Sequence, residues 1–307
     1  MMKKKILVIQ GSSLKKVDLK TDTTVFLAQE AQNRGYKIYY FEPHDLSFIN
    51  GKVFAKCLKI TLLRNKKIFF KIDKILKLDL SQAKIILIRN EPPFNQQYLN
   101  TTFILDIISK KVKILNHPRS IRDVPEKLFA MYLFKYMPPT LISQNLDEIK
   151  FFFKKNKKVI LKPVNGYGGN EVILLKKFNY KIIKGYLNRY NQTIFQKFLP
   201  KITKGDKRVF IINGKIKGLI SRVPKKGSIL SNMSKGAIAK KNQLTEDEFK
   251  ISRKVASLLK KYNIYFAGID FVQGKLIGDI NVTSPTGLTT YYNLTGINLA
   301  KYFWDNI

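Results

Sequence analysis

Three oxygen-bearing side chains lie near one another toward the end of the chain. Asp270 sits in Phe266-Ala267-Gly268-Ile269-Asp270-Phe271, and Asp279 and Asn281 sit in Gly278-Asp279-Ile280-Asn281-Val282. Both stretches read as strands, and alternation puts Asp279 and Asn281 on one face. Two carboxylates and an amide are hard-cation donors of the kind that suit Mg2+. Upstream, Lys162 leads into Pro163-Val164-Asn165-Gly166-Tyr167-Gly168-Gly169. Its glycines permit positive φ and close backbone approach, so that amides can wrap a phosphate. This is not a Walker A loop, because no Gly-Lys-Ser/Thr follows, and glycine-rich turns are common in loops of other kinds. Gly205-Asp206-Lys207-Arg208-Val209 places Arg208 at the start of a strand. It is either part of a solvated charged turn or an arginine that meets phosphate or carboxylate with two N–H groups.

The elements that must position these residues fall into two textures. In the first part, strands are expected at 4–9, 37–41, 85–88 and 112–115, with helices over 23–34, ending at Gly35, and 98–109. Residues 52–72 read as one or two hairpins with basic outer faces. Strand–helix–strand alternation argues an open α/β sheet for about the first 120 residues, and Asn116-His117-Pro118 then punctuates the chain. Beyond it, 126–134 reads as helical and is closed by Pro138-Pro139. Strands are expected at 159–162, 193–198, 208–212 and 215–222, with Asn213-Gly214 as a hairpin turn. A long amphipathic helix over 245–262 starts at a capping box, Thr245 with Glu248. Neither an internal repeat nor a low-complexity linker is evident.

The 307 residues suffice for about two domains, and 45% hydrophobic content can fill a sizeable core. The balance of 57 Lys+Arg against 21 Asp+Glu gives a net charge of +36, which would suit nucleic acid or an anionic membrane. The charge is spread, however, over short runs such as Lys3-Lys4-Lys5, Lys66-Lys67, Lys154-Lys155, Lys157-Lys158, Lys225-Lys226 and Lys240-Lys241. A nucleic-acid binder would cluster its cations on one face with interleaved aromatics. A lysine-biased composition on an ordinary enzyme therefore explains the charge better than a basic nucleic-acid-binding protein does. One cysteine, Cys57, precludes an intrachain disulfide and a cysteine-based metal site. His44 and His117 lack zinc-site spacing. Ile6-Leu7-Val8-Ile9 is too short for a signal-peptide core, and no stretch approaches the ~20 apolar residues of a membrane span. A soluble cytoplasmic protein is the expectation.

Order supplies the context that single motifs lack. Lys127, Lys162 with its glycine turn, Arg208, Asp270 and Asp279-x-Asn281 form a serial arrangement of cations, phosphate loop and metal ligands. In that order the chain resembles the ATP-grasp superfamily, specifically prokaryotic glutathione synthetase. Matching segments span nearly its whole length: Asp22 to Tyr36, Ile49-Asn50-Gly51, Arg89-Asn90-Glu91-Pro92-Pro93-Phe94, Asn116 to Asp123 with Glu126-Lys127-Leu128-Phe129, the Lys162–Gly169 turn, Gly205–Val209 and Asp279 to Thr286. The closing Asn281-Val282-Thr283-Ser284-Pro285-Thr286 string is the most specific of them.

The resemblance implies an α/β chain, α+β in part. An N-terminal pre-ATP-grasp domain with an open parallel sheet would occupy 1–121 and an ATP-grasp domain 122–307. The latter would divide into a small central subdomain, about 130–200, and a C-terminal subdomain, 201–307, with the Mg2+ and substrate site. It also implies an ATP-dependent ligase that joins γ-glutamylcysteine to glycine through an acyl phosphate and releases ADP and phosphate, with Mg2+, or Mn2+ in its place, as cofactor. An ATP-grasp carboxylate–amine ligase for another acid or amine is the alternative. By position, Lys127 and Lys162 would hold ATP phosphates, and Gly166, Gly168 and Gly169 would cover the nucleotide. Gln196, Lys197, Phe198 and Leu199 would pass the adenine, with Asp206 on the nucleotide side. Arg208 would stabilise the acyl phosphate, and Asp270, Asp279 and Asn281 would ligate the metal. Arg222, Asn232, Ser284 and Pro285 would bind the peptide. The implied partners are small molecules, without specific nucleic acid or membrane, and the family tends to homo-oligomers, tetramers among them. Two departures stand out. Asp279 replaces the usual Glu, which withdraws the carboxylate by ~1.5 Å. The lid segment 224–241 keeps Asn232 and little of the family's glycine-rich pattern, and such lids shield acyl phosphates from water.

Overall fold

The computed structural model describes residues 5–19, 21–63 and 69–307. The lysine runs at 3–4 and 66–67 and the first residue of the expected opening strand lie outside the described residues. Seven strands form the first sheet: β1 (Ile6–Gly11), β2 (Lys37–Phe41), β3 (Leu46–Ile49), β4 (Lys52–Leu62), β5 (Phe70–Asp79), β6 (Ile85–Arg89) and β7 (Lys113–Leu115). Their order is β3-β4-β2-β1-β6-β7, with β5 on β4. β2, β1, β6 and β7 run parallel, as the alternation of strands and helices predicts. β3, β4 and β5 extend them antiparallel, so the sheet as a whole is mixed. The basic hairpin is longer than expected, because β5 runs on to Asp79.

Every residue of β1 is buried because both sheet faces are covered. Leu7 and Ile9 pack with Leu27 of the helix Thr23–Asn33. Ile6 and Val8 pack with Leu105 of the helix Gln96–Asp106 on the other face. Asp22 starts the first of these helices by accepting the Val25 N–H at 2.7 Å.

The second sheet is antiparallel, with β8 (Thr140–Ser143), β9 (Val159–Pro163), β10 (Ile173–Leu175) and β11 (Thr193–Lys197) in the order β10-β9-β11-β8. The helices Leu146–Asn156 and Tyr180–Tyr190, for which the sequence reading made no provision, close its core through Ile149, Phe153 and Ile183. The third sheet, β14-β13-β12-β15-β16, is also antiparallel. It comprises β12 (Asp206–Ile212), β13 (Lys215–Val223), β14 (Ile238–Lys240), β15 (Phe266–Val272) and β16 (Lys275–Asn281). The helix Glu246–Lys261 backs it, and the Thr245–Glu248 capping box is present in both directions.

Alternation along β12 and β15 divides the labour. Val209, Ile211, Ala267, Ile269 and Phe271 face the core beneath that helix. Phe210, Ile212 and Phe266 face the other way and join the core of the first sheet. Further along that second face, Asp206, Arg208 and Asp270 line an open cleft. The two sheets are also tied by Asn116, at the end of β7. Its amide nitrogen donates to Phe266 O and Val282 O, both at 2.7 Å, and its oxygen accepts Tyr265 N at 2.9 Å and Phe266 N at 2.8 Å.

One expected helix takes a different form. Residues 126–134 yield a kinked 3-10 element, Phe129–Tyr136, broken at Leu133 where φ is −118°. The preceding backbone pairs with β16 instead, because Glu126 O accepts Ile280 N at 3.0 Å. Two short helices at the end of the chain, Leu288–Thr295 and Leu299–Asp305, return to the first sheet. There Trp304 Nε1 donates to Leu27 O at 2.8 Å.

Candidate functional site

A cleft opens between the second and third sheets. From the third sheet come Asp206 and Arg208 on β12, Arg222 on β13, Asp270 and Val272 on β15, and Ile277, Asp279 and Asn281 on β16. Ile277, Asp279 and Asn281 share a face at period 2 while Leu276 and Ile280 point into the core, as the sequence alternation predicts. From the second sheet come Lys162 on β9 and Gln196 and Lys197 on β11, followed by Phe198 and Leu199. The turn with Gly166, Gly168 and Gly169 roofs one end, and Lys127 enters from the segment before the 3-10 element.

The charged floor is a buried quartet. Arg208 and Asp270 are cross-strand partners, and so are Asp206 and Arg222. Arg208 meets Asp270 with two N–H groups, Nε to Oδ1 and Nη2 to Oδ2 at 2.7 Å. Arg222 Nε donates to Asp206 Oδ1 at 2.8 Å, and Arg222 Nη2 also lies 3.0 Å from Asp270 Oδ2. Burial alone would push the Asp270 carboxyl up, but the two guanidiniums outweigh it and hold it at about 2. For Asp206 burial prevails over Arg222, and its carboxyl is pushed up. Because the quartet neutralises itself, the remaining charge along the cleft comes from Lys127, Lys162 and Lys197 against Glu126 and Asp279.

Lys162 is positioned by an irregularity in β16. Pairing with β15 passes from Ile269↔Ile280 to Phe271↔Leu276, a bulge centred on Gly278. Gly278 has φ +85°, which disfavours any side chain, and a Cβ there would lie 2.9 Å from Met137 Cε. The bulge turns Ile277 O toward Lys162 Nζ, which donates to it at 2.7 Å and lies 3.8 Å from Asp279 Oδ2. Lys127 Nζ donates to Gly166 O in the glycine turn. Burial pulls the Lys127 ammonium pKa down, against the pull of Asp279 in the other direction. Two buried ammonium groups beside a glycine turn make an anion cradle of the kind that takes phosphates.

On the opposite wall, Gln196 Nε2 donates to Thr140 Oγ1 at 2.8 Å. The backbone N–H groups of Lys197 and Phe198 are taken by Pro139 O and Lys158 O. Asn232, Ser231, Leu230 and Ile229 line the cleft from the segment that joins β13 to β14. Asn281 Nδ2 donates to Gly268 O on the neighbouring strand β15 at 3.1 Å, which fixes the orientation of its amide. Among the described residues no three His, Cys, Asp or Glu side chains gather as a metal site. A cation at Asp279 and Asn281 would complete its shell with phosphate oxygens and water, as Mg2+ commonly does.

Ser284 and Pro285 stand apart from this cleft. Ser284 Oγ donates to Arg89 O at 3.2 Å, and Arg89 Nη2 donates to Pro285 O at 2.9 Å. Arg89 is itself 5% exposed at the carboxyl end of β6, a position where open α/β sheets bind ligands. Its motif is conspicuous in the sequence, but the residue carries no signal of its burial there. Glu126 is a further contributor that its type and spacing do not mark. Its Oε1 accepts Val282 N, Thr283 N and Thr283 Oγ1 at 3.0, 3.1 and 2.7 Å, which caps the end of β16.

Comparison with known proteins agrees with this geometry. Residues 5–122 match the family described as prokaryotic glutathione synthetase, N-terminal domain, and residues 126–296 match its ATP-grasp domain. The chain is 34% identical over 303 residues to a glutathione synthetase of Bradyrhizobium diazoefficiens, covering 97% of this chain and 96% of that one. It is 35% identical over 298 residues to a glutathione synthetase of Buchnera aphidicola, covering 95% and 92%. Among solved structures, D-alanyl-alanine synthetase A from Vibrio cholerae superposes with a TM-score of 0.63 at 13% identity, covering 99% and 98%. That last likeness concerns the ATP-grasp fold alone.

Proposed function

The chain belongs to the prokaryotic glutathione synthetase family, and from that premise we propose how its cleft carries out an ATP-dependent carboxylate–amine ligation. The protein is an ADP-forming ligase that joins γ-glutamylcysteine to glycine. One observation carries the assignment of residues. Lys127, Lys162, Arg208, Arg222, Asp279, Asn281 and the glycine turn come from separate strands and loops, yet they converge on one cleft.

A carboxylate is a poor electrophile. In the proposed reaction a carboxylate oxygen of γ-glutamylcysteine attacks the γ-phosphorus of ATP, and the bond to ADP breaks. The amine of glycine then attacks the acyl carbon, inorganic phosphate leaves, and the amine's proton goes to solvent or phosphate. Such a reaction needs positioning and charge neutralisation more than a protein nucleophile. Lys127 and Lys162 hold the β- and γ-phosphates, with Gly166, Gly168 and Gly169 closing over them. Gln196, Lys197, Phe198, Leu199 and Asp206 border the nucleotide. Arg208 and Arg222 stabilise charge on the acid and its phosphorylated end, and Asn232 covers it. Asp279 and Asn281 would hold Mg2+ with Asp270 behind them, and Mn2+ could replace it. The cation would supply positive charge that offsets the phosphates. Ser284 and Pro285 lie outside the cleft and would bear on the peptide only through Arg89, to which both are hydrogen-bonded.

No helix among the described residues is long and apolar enough to cross a membrane. We place the enzyme in the cytoplasm as a homo-oligomer, which light scattering of the purified protein would check. The decisive assay is ADP release with Mg2+. It should require γ-glutamylcysteine and glycine together, and Lys162→Ala and Arg208→Ala should each abolish it. Release with a different acid–amine pair, and none with this one, would overturn the substrate assignment while leaving the ligase class intact.

A further inference from the structure

The segment from Pro224 to Ala237 leaves the third sheet after β13, crosses the cleft and returns as β14. Among the described residues its hydrogen bonds are internal with a single exception. Ser228 N, Lys235 N, Gly236 N and Ala237 N all bond within the segment, as does Leu230 N through Ser228 Oγ. The exception is Ser231, whose Oγ donates to Asp206 Oδ2 at 2.5 Å. Both partners are buried, Ser231 at 7% and Asp206 at 1% exposure. On its far side the segment meets the glycine turn by packing, and a Cβ on Gly169 would strike Asn232 Oδ1 and touch Leu230 Cδ2. Gly227 and Gly236 both take left-handed φ, +82° and +81°. They bracket the stretch that covers the cleft, where backbone rotation costs least.

We propose that Ser231 is the latch of the lid. Its hydroxyl is a positioning group that acts through Asp206 to hold residues 228–237 shut over the cleft, and it thereby keeps water from the acyl phosphate until the amine has reacted. The Arg222 guanidinium occupies both oxygens of Asp206 from the sheet side, so this carboxylate is fixed in place and presents its remaining lone pair to the lid. A hydrogen bond to an ionised carboxylate shifts a local equilibrium by about ten- to a hundred-fold. A latch of that strength holds a lid closed and still lets it open for product release. Lid closure as such is expected of the ligase reading proposed above. What is inferred here is the single group that holds it.

Two readouts separate the latch from the ligase reading. Lys225, Lys226 and Lys235 are exposed on the lid, so trypsin cleavage there reports its opening in the absence of any substrate. Ser231→Ala should be cleaved about tenfold faster or more, whereas Ser231→Thr, which keeps a hydroxyl, should resemble the parent. In the ligase assay Ser231→Ala should release more ADP per peptide bond formed, because exposed acyl phosphate hydrolyses, with KM for ATP little changed. Ser231→Thr should restore the ratio. Equal cleavage rates for Ser231→Ala and the parent protein overturn the latch, and so does Ser231→Ala cleavage that the threonine variant shares. If no acid–amine pair yields ADP, the ligase reading fails, and the proteolysis comparison still decides the latch.

Discussion

Arg208 and Asp270 face each other across β12 and β15 and share a two-point ion pair in the floor of the cleft. The pair is buried on both sides, at 5% and 3% exposure. Removing one member of such a pair leaves the other charged and unpartnered. Asp270→Asn is therefore expected to lower the free energy of unfolding by about 3–5 kcal/mol, measured in urea. Arg208→Ala should lose ligase activity as well. An Arg208→Ala protein as stable as the parent would show that the pair carries no net folding energy.

The same pair sets a pH dependence. The Asp270 carboxyl lies at about 2 in the folded protein, below its ordinary 3.8. A depressed carboxyl contributes stability that is complete above the unfolded value and lost as pH falls through the folded one. The loss should span roughly pH 4 to 2 and amount to about 2 kcal/mol. Asp206, pushed up by burial, has the opposite sign, since its protonation at higher pH relieves a cost of folding. Urea titrations between pH 5 and 2.5 should show the low-pH loss in the parent and its absence in Asp270→Asn.

Gly278 tests whether the bulge in β16 places Lys162. Alanine there meets φ +85° and the Met137 methyl group, at an expected cost of about 1–2 kcal/mol. Displacing Ile277 O should also free Lys162 Nζ and raise KM for ATP several-fold. A Gly278→Ala enzyme with unchanged KM would separate the bulge from nucleotide binding.

Asp279 is the short-armed member of the proposed cation site. Asp279→Glu extends the carboxylate beyond Lys162 toward the phosphates. The Mg2+ concentration for half-maximal ADP formation is expected to fall several-fold. A rise would mean that the Asp279 contact with Lys162, rather than cation binding, is the role of this residue.

Asn116 tests the tie between the first and third sheets. Asn116→Ala strips partners from four backbone groups, the buried Phe266 N, Phe266 O and Val282 O and the half-buried Tyr265 N. Thermal or urea unfolding should reveal a loss of about 3 kcal/mol or more.

Much of this was legible from sequence because it rests on local periodicity and chemistry. Alternation put Asp279 and Asn281 on one face, Asn213-Gly214 marked the β12–β13 turn, and Thr245 with Glu248 marked a helix start. The order of lysines, glycine turn, arginine and acids pointed to the family. The helices Leu146–Asn156 and Tyr180–Tyr190 escaped because each buries only two residues, Ile149 with Phe153 and Ile183 with Tyr186, while other apolar residues lie on the outer face. The 126–134 segment misled because its apolar residues suit a helix, while its backbone is claimed by the edge of β16.

What the sequence by itself determined was which residues could do chemistry and which way each would point from its own strand. Period-2 geometry settles a side chain's face but not which neighbouring strand lies beside it. Only the tertiary structure decided that Asp270 is shared by Arg208 and Arg222. The same holds for the place of Ser284 and Pro285 beside Arg89, outside the cleft, and for the tether of the lid through Ser231 to Asp206. Those partnerships join residues up to 196 positions apart. They are set by the burial of sheet faces against one another, which no local pattern encodes.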